Sequence, residues 1–496
     1  MLATILWGIF GMLCESAPET LDCRLSEAFD KARKDWVEEQ ICTLPSLATL
    51  YVRPREAGDL QLELHHPTSA TPIHLETKCA DLSSTISKWT TPDTSLVPSS
   101  DRFDFNDKTN IVYLFHESDC EKYISDELDQ HLRLMHQEGR QGSKILCLKT
   151  KLGERPSQFH REILEIISKP SHLVIVGKKI PPFEYAHASG MRAPFAEFHY
   201  GMTDLPYGSI NSESWDQSLH KSTAWGERAL SSWNGMIAKH HPSEWVLDFD
   251  QWVETQSKGL SYRQVHSVSR WPGEGVEEFK RWLEARARWK PPLRWRGLLA
   301  EGGSGVLRSN KPHDRRENWK EHPSFSSFTF LYQSDLQALV RQLPKHLEFL
   351  QLAEHGHPQG VGELSVTQLS KLSRLATFIN LESCYGGAWG YGNPNETSMI
   401  EQIFKLPNPP LSVIASQGIK GLATSGDGGM WLAQSFLGAT ASPQSLGHRQ
   451  VQAVSLNLEK WQKTLSRQKQ FGLHRAWLAH QIFLVHSLFG DPSLEF

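Results

Sequence analysis

Two short apolar runs, each halted by a reactive side chain and a glycine, constrain this chain more than any other feature. Phe349-Leu-Gln-Leu-Ala-Glu precedes His355-Gly356-His357, and Phe378-Ile-Asn-Leu-Glu-Ser precedes Cys384-Tyr-Gly386-Gly387. Between them Val366, Leu369, Leu372 and Leu375 recur at helical spacing, which predicts a helix over 366–375. Strand, helix and strand make a crossover unit whose two strands lie parallel in one sheet. Their carboxyl ends then emerge at one edge, where open α/β sheets bind ligands. An imidazole, His355, and a thiol, Cys384, are expected together at that edge.

The chain has 496 residues, room for two or three domains. A hydrophobic share of 39% with 22% charged residues describes a globular protein with a sizeable core. With a formal net charge of −4 and no long basic run, nucleic acid is excluded as the expected partner. The segment Leu2 to Leu13 is apolar and is followed by Glu15-Ser16-Ala17-Pro18. It lacks a charged n-region and is too short to span a bilayer, so no integral membrane span is expected. Residues 1–17 read either as a processed signal or anchor or as a buried N-terminal helix, which slightly favours a secreted or cell-envelope protein. Cys14, Cys23, Cys42, Cys79, Cys120 and Cys147 lie in the first third of the chain, and Cys384 stands apart. No CxxC or Cys/His metal spacing occurs, so no zinc site is expected. In an exported protein some of the early cysteines would pair, and Cys384 is expected to remain a thiol.

Residues 18–104 read as irregular, a small N-terminal segment and linker with stretches such as Thr90-Thr-Pro-Asp-Thr-Ser-Leu-Val-Pro. From Asn110 the texture alternates. Ile111–Phe115, Lys144–Leu148 and His172–Gly177 predict strands, with helices over Ile124–Met135 and Phe159–Ser168. Beyond Pro181-Pro182 an aromatic, glycine-rich stretch reads as loop and insertion. Regularity resumes with a strand at Gln264–Val268 and a charged helix at Val276–Trp289, and Pro291-Pro292 marks a boundary. A second series follows, with a strand at Gly297–Glu301, a helix at Ser334–Leu343, the His355/Cys384 unit, and a strand at Pro410–Ser416. The expected fold is α/β: two tandem αβα sandwiches with parallel sheets, over 105–290 and 291–496.

A thiol attacks as the thiolate, and a neighbouring imidazole can take its proton or stabilise its charge. Gly386 and Gly387 let the chain turn sharply and approach a substrate closely. Backbone N–H groups at Gly356 and Cys384 could serve an oxyanion. Alone, Cys384 reads as a buried core thiol and His355 as a structural residue; the matched strand ends and glycines favour function for the pair. Glu354 and Glu382 adjoin the pair but alternate along their strands and are expected to point elsewhere. His357 is a second candidate base.

These residues resemble the caspase-like cysteine peptidases, specifically the gingipain-type branch. His-Gly and Ser-Cys-x-Gly-Gly at consecutive strand ends carry the likeness. Ala300-Glu301-Gly-Gly, Val413-Ile-Ala-Ser416 and Leu488-Phe-Gly-Asp-Pro-Ser-Leu494 extend it, as do Val174–Gly177, Asp204-Leu-Pro-Tyr-Gly208 and the helix after Ser269-Arg270. The resemblance covers roughly residues 105–496. It implies a caspase-like fold, no required cofactor, and room for a structural calcium ion. It implies that Cys384 attacks a peptide carbonyl, that His355 protonates the leaving amine, and that Glu301 orients the imidazole. The expected partner is a protein or peptide substrate, and the expected state is a monomer.

The chain departs from the pattern at several points. Val176-Gly177-Lys178 stands where members usually have Val-Gly-Asp, and Pro358-Gln-Gly-Val-Gly362 carries no tryptophan. The pocket tryptophan after Ile-Ala-Ser416 falls at Leu422, and the aspartate that reads a basic side chain falls at Pro312, with Asp314 just beyond. Ser416, Leu422 and Asp314 are thus the candidate substrate-binding residues, and the preference of the pocket stays open. Residues 308–322 read as a solvated charged loop, or as a processing loop cut at Arg315 or Arg316. The leading function is a cysteine endopeptidase. The alternatives are a catalytically silent peptide-binding scaffold and a thiol acyltransferase or transpeptidase.

Overall fold

The computed structural model describes residues 22–30, 35–43, 49–54, 59–65, 73–78, 108–188, 198–210, 213–221, 245–248, 251–252, 264–292, 295–301, 325–332, 347–362, 364–389, 397–417, 444–455 and 486–495. The chain divides into two compact units, residues 1–102 with 440–442, and the remainder.

The first unit holds five strands, β1 (Asp22–Asp30), β2 (Asp35–Thr43), β3 (Thr49–Pro54), β4 (Asp59–His65) and β5 (Ile73–Lys78). Each pairs antiparallel with the next. This corrects the reading of residues 18–104 as irregular. Leu60, Leu62 and Leu64 alternate with polar residues, the period of a half-buried strand. Consecutive strands lie only four to seven residues apart along the chain, short enough for antiparallel pairing.

The second unit begins with β6 (Ile111–His116), helices α1 (Glu117–Tyr123) and α2 (Asp126–Gln137), β7 (Lys144–Leu148), α3 (Pro156–Ile166) and β8 (His172–Val176). The stretch read as loop and insertion contributes β9 (Phe183–Ala188), β10 (Phe198–Thr203), the single turn α4 (Glu213–Asp216), β11 (Leu219–Lys221) and β12 (Trp245–Asp248). These strands form a separate four-stranded sheet in the order β10-β9-β12-β11. Its strands are only three to six residues long and hold two β-branched residues, Thr203 and Val246, so periodicity misses them. The buried rings of Trp215 and Trp252 stack beside it at 4.2 Å.

The chain then forms β13 (Ser267–Trp271), α5 (Val276–Arg288), β14 (Trp295–Glu301), β15 (Phe325–Tyr332) and β16 (Phe349–Ala353). The two-residue strands β17 (Gly356–His357), β18 (Gly360–Val361) and β19 (Leu364–Ser365) follow, then α6 (Val366–Leu369) and β20 (Phe378–Glu382). Last come α7 (Met399–Lys405), β21 (Ser412–Ser416) and β22 (His486–Gly490). Strand β13 starts three residues later than the expected strand at Gln264, because Gln264 makes only an isolated bridge to Ser209. The expected helix over 366–375 stops at Leu369. Its continuation turns away at Ser370 and Ser373, and Asn408 holds the Ser373 carbonyl at 2.9 Å through its own N–H. The expected helix over Ser334–Leu343 lies outside the described residues.

Ten strands form one sheet in the order β15-β14-β16-β20-β21-β22-β13-β8-β6-β7. The first five run parallel to one another, and so do the last five. The two blocks meet antiparallel at β21 and β22. Strand β22, from the end of the chain, thereby belongs to the block that residues 111–271 otherwise build. Every residue of β16 and β21 is buried, as expected of parallel strands covered on both faces. Leu350, Leu352, Ile379, Leu381, Val413 and Ala415 join one core cluster, and Phe349, Phe378 and Ile414 another. That alternation follows the two-residue period of the strands.

The closing Phe489-Gly-Asp-Pro-Ser segment is a clasp. Gly490 has φ +84°, and a Cβ there would run into the Leu411 carbonyl, so the position demands glycine. Asp491 donates its N–H to the same carbonyl at 2.9 Å. Its buried carboxylate accepts from Ser493 and pairs with Arg286 on α5. Arg286 holds the Asp491 carboxyl below its ordinary range despite the opposing effect of burial. A disulfide between Cys120 and Cys147 ties α1 to β7.

Candidate active site

Strand register sets out the site. Glu301 on β14 pairs with Ala353 on β16, and Ala353 pairs with Glu382 on β20. His355 and Cys384 each stand two residues beyond this row. All three strands run the same way, so the carboxyl end of each lies at one edge, as the sequence predicts. Backbone contact closes the gap further: Glu354 donates its N–H to the Glu382 carbonyl at 3.3 Å. A Cβ added to Gly356 would stand 2.5 Å from the Cys384 carbonyl oxygen and 2.5 Å from Ser383 Cβ. The loop carrying the imidazole therefore lies directly on the loop carrying the thiol.

Each loop is braced. His355 is exposed; its N–H donates to the Glu354 carboxylate at 2.8 Å, and its carbonyl accepts from Gly362 at 2.6 Å. Strands β17, β18 and β19 fold back on one another immediately beyond it. The Pro358 carbonyl accepts from the first N–H of α7, at Met399, over 2.7 Å. His357, the second candidate base, is half-buried, and its Nδ1 accepts from the Gln359 N–H at 3.3 Å. Burial lowers its pKa below the ordinary imidazole value. It is committed to its own turn, and His355 is the ring presented at the edge.

Cys384 is a half-buried thiol at the margin of the cluster that includes Leu381 and Tyr385. The sharp turn after it falls on Tyr385, at φ +53°, the one non-glycine residue with positive φ among those described. A bulky residue there is strained, and such strain concentrates at functional sites. The two glycines serve close approach instead of the turn itself. A Cβ on Gly386 would meet Ser383 Oγ, and one on Gly387 would meet Ala415 Cβ at 2.8 Å. Gly387 donates its N–H to the Ser416 carbonyl at 2.8 Å, and Ala388 donates to the Tyr385 carbonyl at 3.0 Å. Burial pushes the Tyr385 phenol well above its ordinary pKa, with Tyr185 and Cys384 adding to the effect.

The other expected site residues divide. Ser416 is fully buried at the end of β21, beside the thiol loop. Glu301 ends β14 in the row next to Ala353. Asp314, Leu422, Arg315 and Arg316 lie outside the described residues. Among the described residues no three His, Cys, Asp or Glu side chains converge as a metal cage requires. No described helix is long and apolar enough to cross a membrane.

Periodicity gave no sign of one group beside the thiol loop. Trp389 lies over the guanidinium of Arg270, 4.6 Å from ring centroid to Cζ. Arg270 is the one charged residue of the buried strand Ser267–Trp271, and its Nε and Nη2 donate to the two Asp204 oxygens at 2.7 and 2.6 Å. Its Nη1 donates to the carbonyls of Gly177 and Ile180 at 2.7 and 3.0 Å. The only trace in sequence is a charged residue inside Val268–Trp271.

No protein-family model matches the chain, and no curated protein matches it by sequence. Among solved structures it is similar to the Arg-specific cysteine proteinase gingipain R, at 13% identity over 79% of each chain, with a TM-score of 0.47. The complex of Porphyromonas gingivalis RgpB pro- and mature domains gives 13% identity over 78% of this chain and 79% of that one, with a TM-score of 0.46. The Saccharomyces cerevisiae separase–securin complex gives 11% identity over 88% of this chain and 29% of that one, with a TM-score of 0.29. By its own topology the larger unit is an α/β fold on a mostly parallel ten-stranded sheet.

Proposed function

We propose that the protein is a cysteine endopeptidase acting through Cys384 and His355. One observation carries the reading. The register that pairs Ala353 with Glu382, and the contact of Gly356 with Ser383 and Cys384, bring the imidazole loop and the thiol loop together at the carboxyl ends of the parallel strands. A lone cysteine at a strand end would need none of this.

The Cys384 thiolate attacks the peptide carbonyl carbon, forming a C–S bond while the carbonyl electrons move to oxygen. Backbone N–H groups at Gly356 and Cys384 stabilise that oxyanion. As the C–N bond breaks, His355 gives its proton to the departing amine, leaving a thioester. Water, deprotonated by the same imidazole, then releases the acid and restores the thiol. Glu301, on the neighbouring strand, would orient the imidazole and fix its tautomer. The partner is a protein or peptide. Ser416, Leu422 and Asp314 are proposed to line the pocket for its side chain.

A peptide-library cleavage profile of the purified chain, with Cys384→Ala beside it, tests the reading. Cleavage at a defined set of bonds by the wild type alone is expected. Identical profiles from the two proteins would overturn it.

A further inference from the structure

The thiol loop holds a strained residue, and strain persists only where the surroundings over-determine it. Between Cys384 and Trp389 the Gly387 N–H donates to Ser416 and the Ala388 N–H to Tyr385, and Tyr385, Ala388 and Trp389 all join the core cluster. The far end of the loop is fixed differently. Trp389 is only 5% exposed, and its indole N–H has no hydrogen-bond partner among the described residues. The ring packs into the core cluster, and one face of it is laid on the guanidinium of Arg270.

Arg270 makes a rigid floor for that face. It is 0% exposed, and its in-plane donors go to Asp204, Gly177 and Ile180. These partners come from the loops that follow β8 and β10. Asp204 is itself placed at the head of the tight turn Leu205–Gly208, whose Tyr207 hydroxyl donates to Pro181 at 2.5 Å. With four of its five N–H donors engaged in plane, the guanidinium offers Trp389 its flat surface, which suits an aromatic ring. A lysine would supply the charge without the plane.

We propose that Arg270 is a positioning residue for the nucleophile, acting through the face of Trp389 to fix the loop that presents Cys384. The proposal rests on the peptidase reading and adds a residue to it. Bland core packing predicts something different: any apolar side chain of similar size at 389 would serve. Positioning through the ring face predicts that aromatic replacements work and aliphatic ones do not.

The test is the pH dependence of Cys384 alkylation by iodoacetamide, in which sulfur bonds to the methylene carbon and iodide leaves. A thiol paired with imidazole reacts at mildly acid pH, where an ordinary cysteine of pKa about 8.5 does not. Rates are measured for the wild type, Trp389→Leu, Trp389→Phe and His355→Ala, each in a Cys-light background confirmed by cooperative melting. Trp389→Leu is expected to lose about tenfold or more in rate at pH 6, with its profile moved toward that of an ordinary thiol. Trp389→Phe, which keeps an aromatic face, is expected to stay within about threefold of wild type. Should Trp389→Leu not fold, Arg270→Lys replaces it, with the same loss expected. A wild-type profile in the folded leucine or lysine variant, or equal losses in the leucine and phenylalanine variants, overturns the proposal alone. A wild-type thiol that already behaves as an ordinary cysteine, indifferent to His355→Ala, overturns the peptidase reading itself.

Discussion

Gly356→Ala asks the most of the site geometry. The new methyl carbon would stand 2.5 Å from the Cys384 carbonyl oxygen, 2.5 Å from Ser383 Cβ and 2.8 Å from Ser383 Oγ. Ordinary contact begins at 3.4 Å, so the two loops must part by about 1 Å, the scale of misplacement that can cost a catalytic site about 10²-fold. Neither of the two nearest obstacles, the Cys384 carbonyl oxygen and Ser383 Cβ, is the tip of a flexible side chain. The carbonyl belongs to the nucleophile itself, and Ser383 Cβ is fixed to the backbone just before it. Overpacking of this kind costs about 1–3 kcal/mol, against a typical total stability of about 5–15 kcal/mol. The variant should therefore fold and lose reactivity. The assay is the rate of Cys384 modification by a peptidyl electrophile, read by intact mass, beside a thermal melt. A loss of about 10²-fold with a cooperative melt is expected. Labelling at the wild-type rate in a folded protein would refute the contact of the two loops, and the site with it.

Two further outcomes concern the frame that carries the site. Asp491→Asn takes from the buried Arg286 guanidinium its nearest carboxylate and leaves only the half-exposed Glu138 at 3.6 Å, and should cost about 3 kcal/mol in a denaturant melt; a loss under about 1 kcal/mol would show that the clasp is dispensable. Burial lowers His131, His160 and His266 to about 4, and His172 to about 3, from 6.5. The unfolded chain therefore binds more protons than the folded one once pH falls below 6.5. Stability should drop from there down to about 4, by about 1.4 kcal/mol per pH unit for each group, or about 5 kcal/mol for all four at pH 5.5. Denaturant midpoints that stay level between pH 6.5 and 5 would contradict this.

What the sequence made legible was what depends on neighbours in sequence. Strands β16 and β20 end where their apolar runs end, and α5 and β14 follow their patterns closely. Placing His355 and Cys384 at one edge needs only the parallel crossover rule. The crossover helix was overread because four apolar residues at helical spacing describe a buried face whether or not the backbone stays helical; Arg374 bridges to Asn408 instead. In the first unit the alternation at Leu60, Leu62 and Leu64 was present but was outweighed by the proline-bearing linker beside it. The turn at Tyr385 was assigned to the glycines, since a tyrosine at positive φ is held there only by its tertiary surroundings. Arg270, Asp204 and Trp389 come from three distant stretches, and no local pattern joins them.

The most direct measurement is covalent labelling of the native chain by a peptidyl electrophile aimed at thiols, with the modified residue located by peptide mapping. The account predicts stoichiometric modification at Cys384 that heat denaturation abolishes and His355→Ala reduces to the rate of a solvent-exposed thiol. Labelling of Cys384 that is equally fast in the native, denatured and His355→Ala proteins would contradict it.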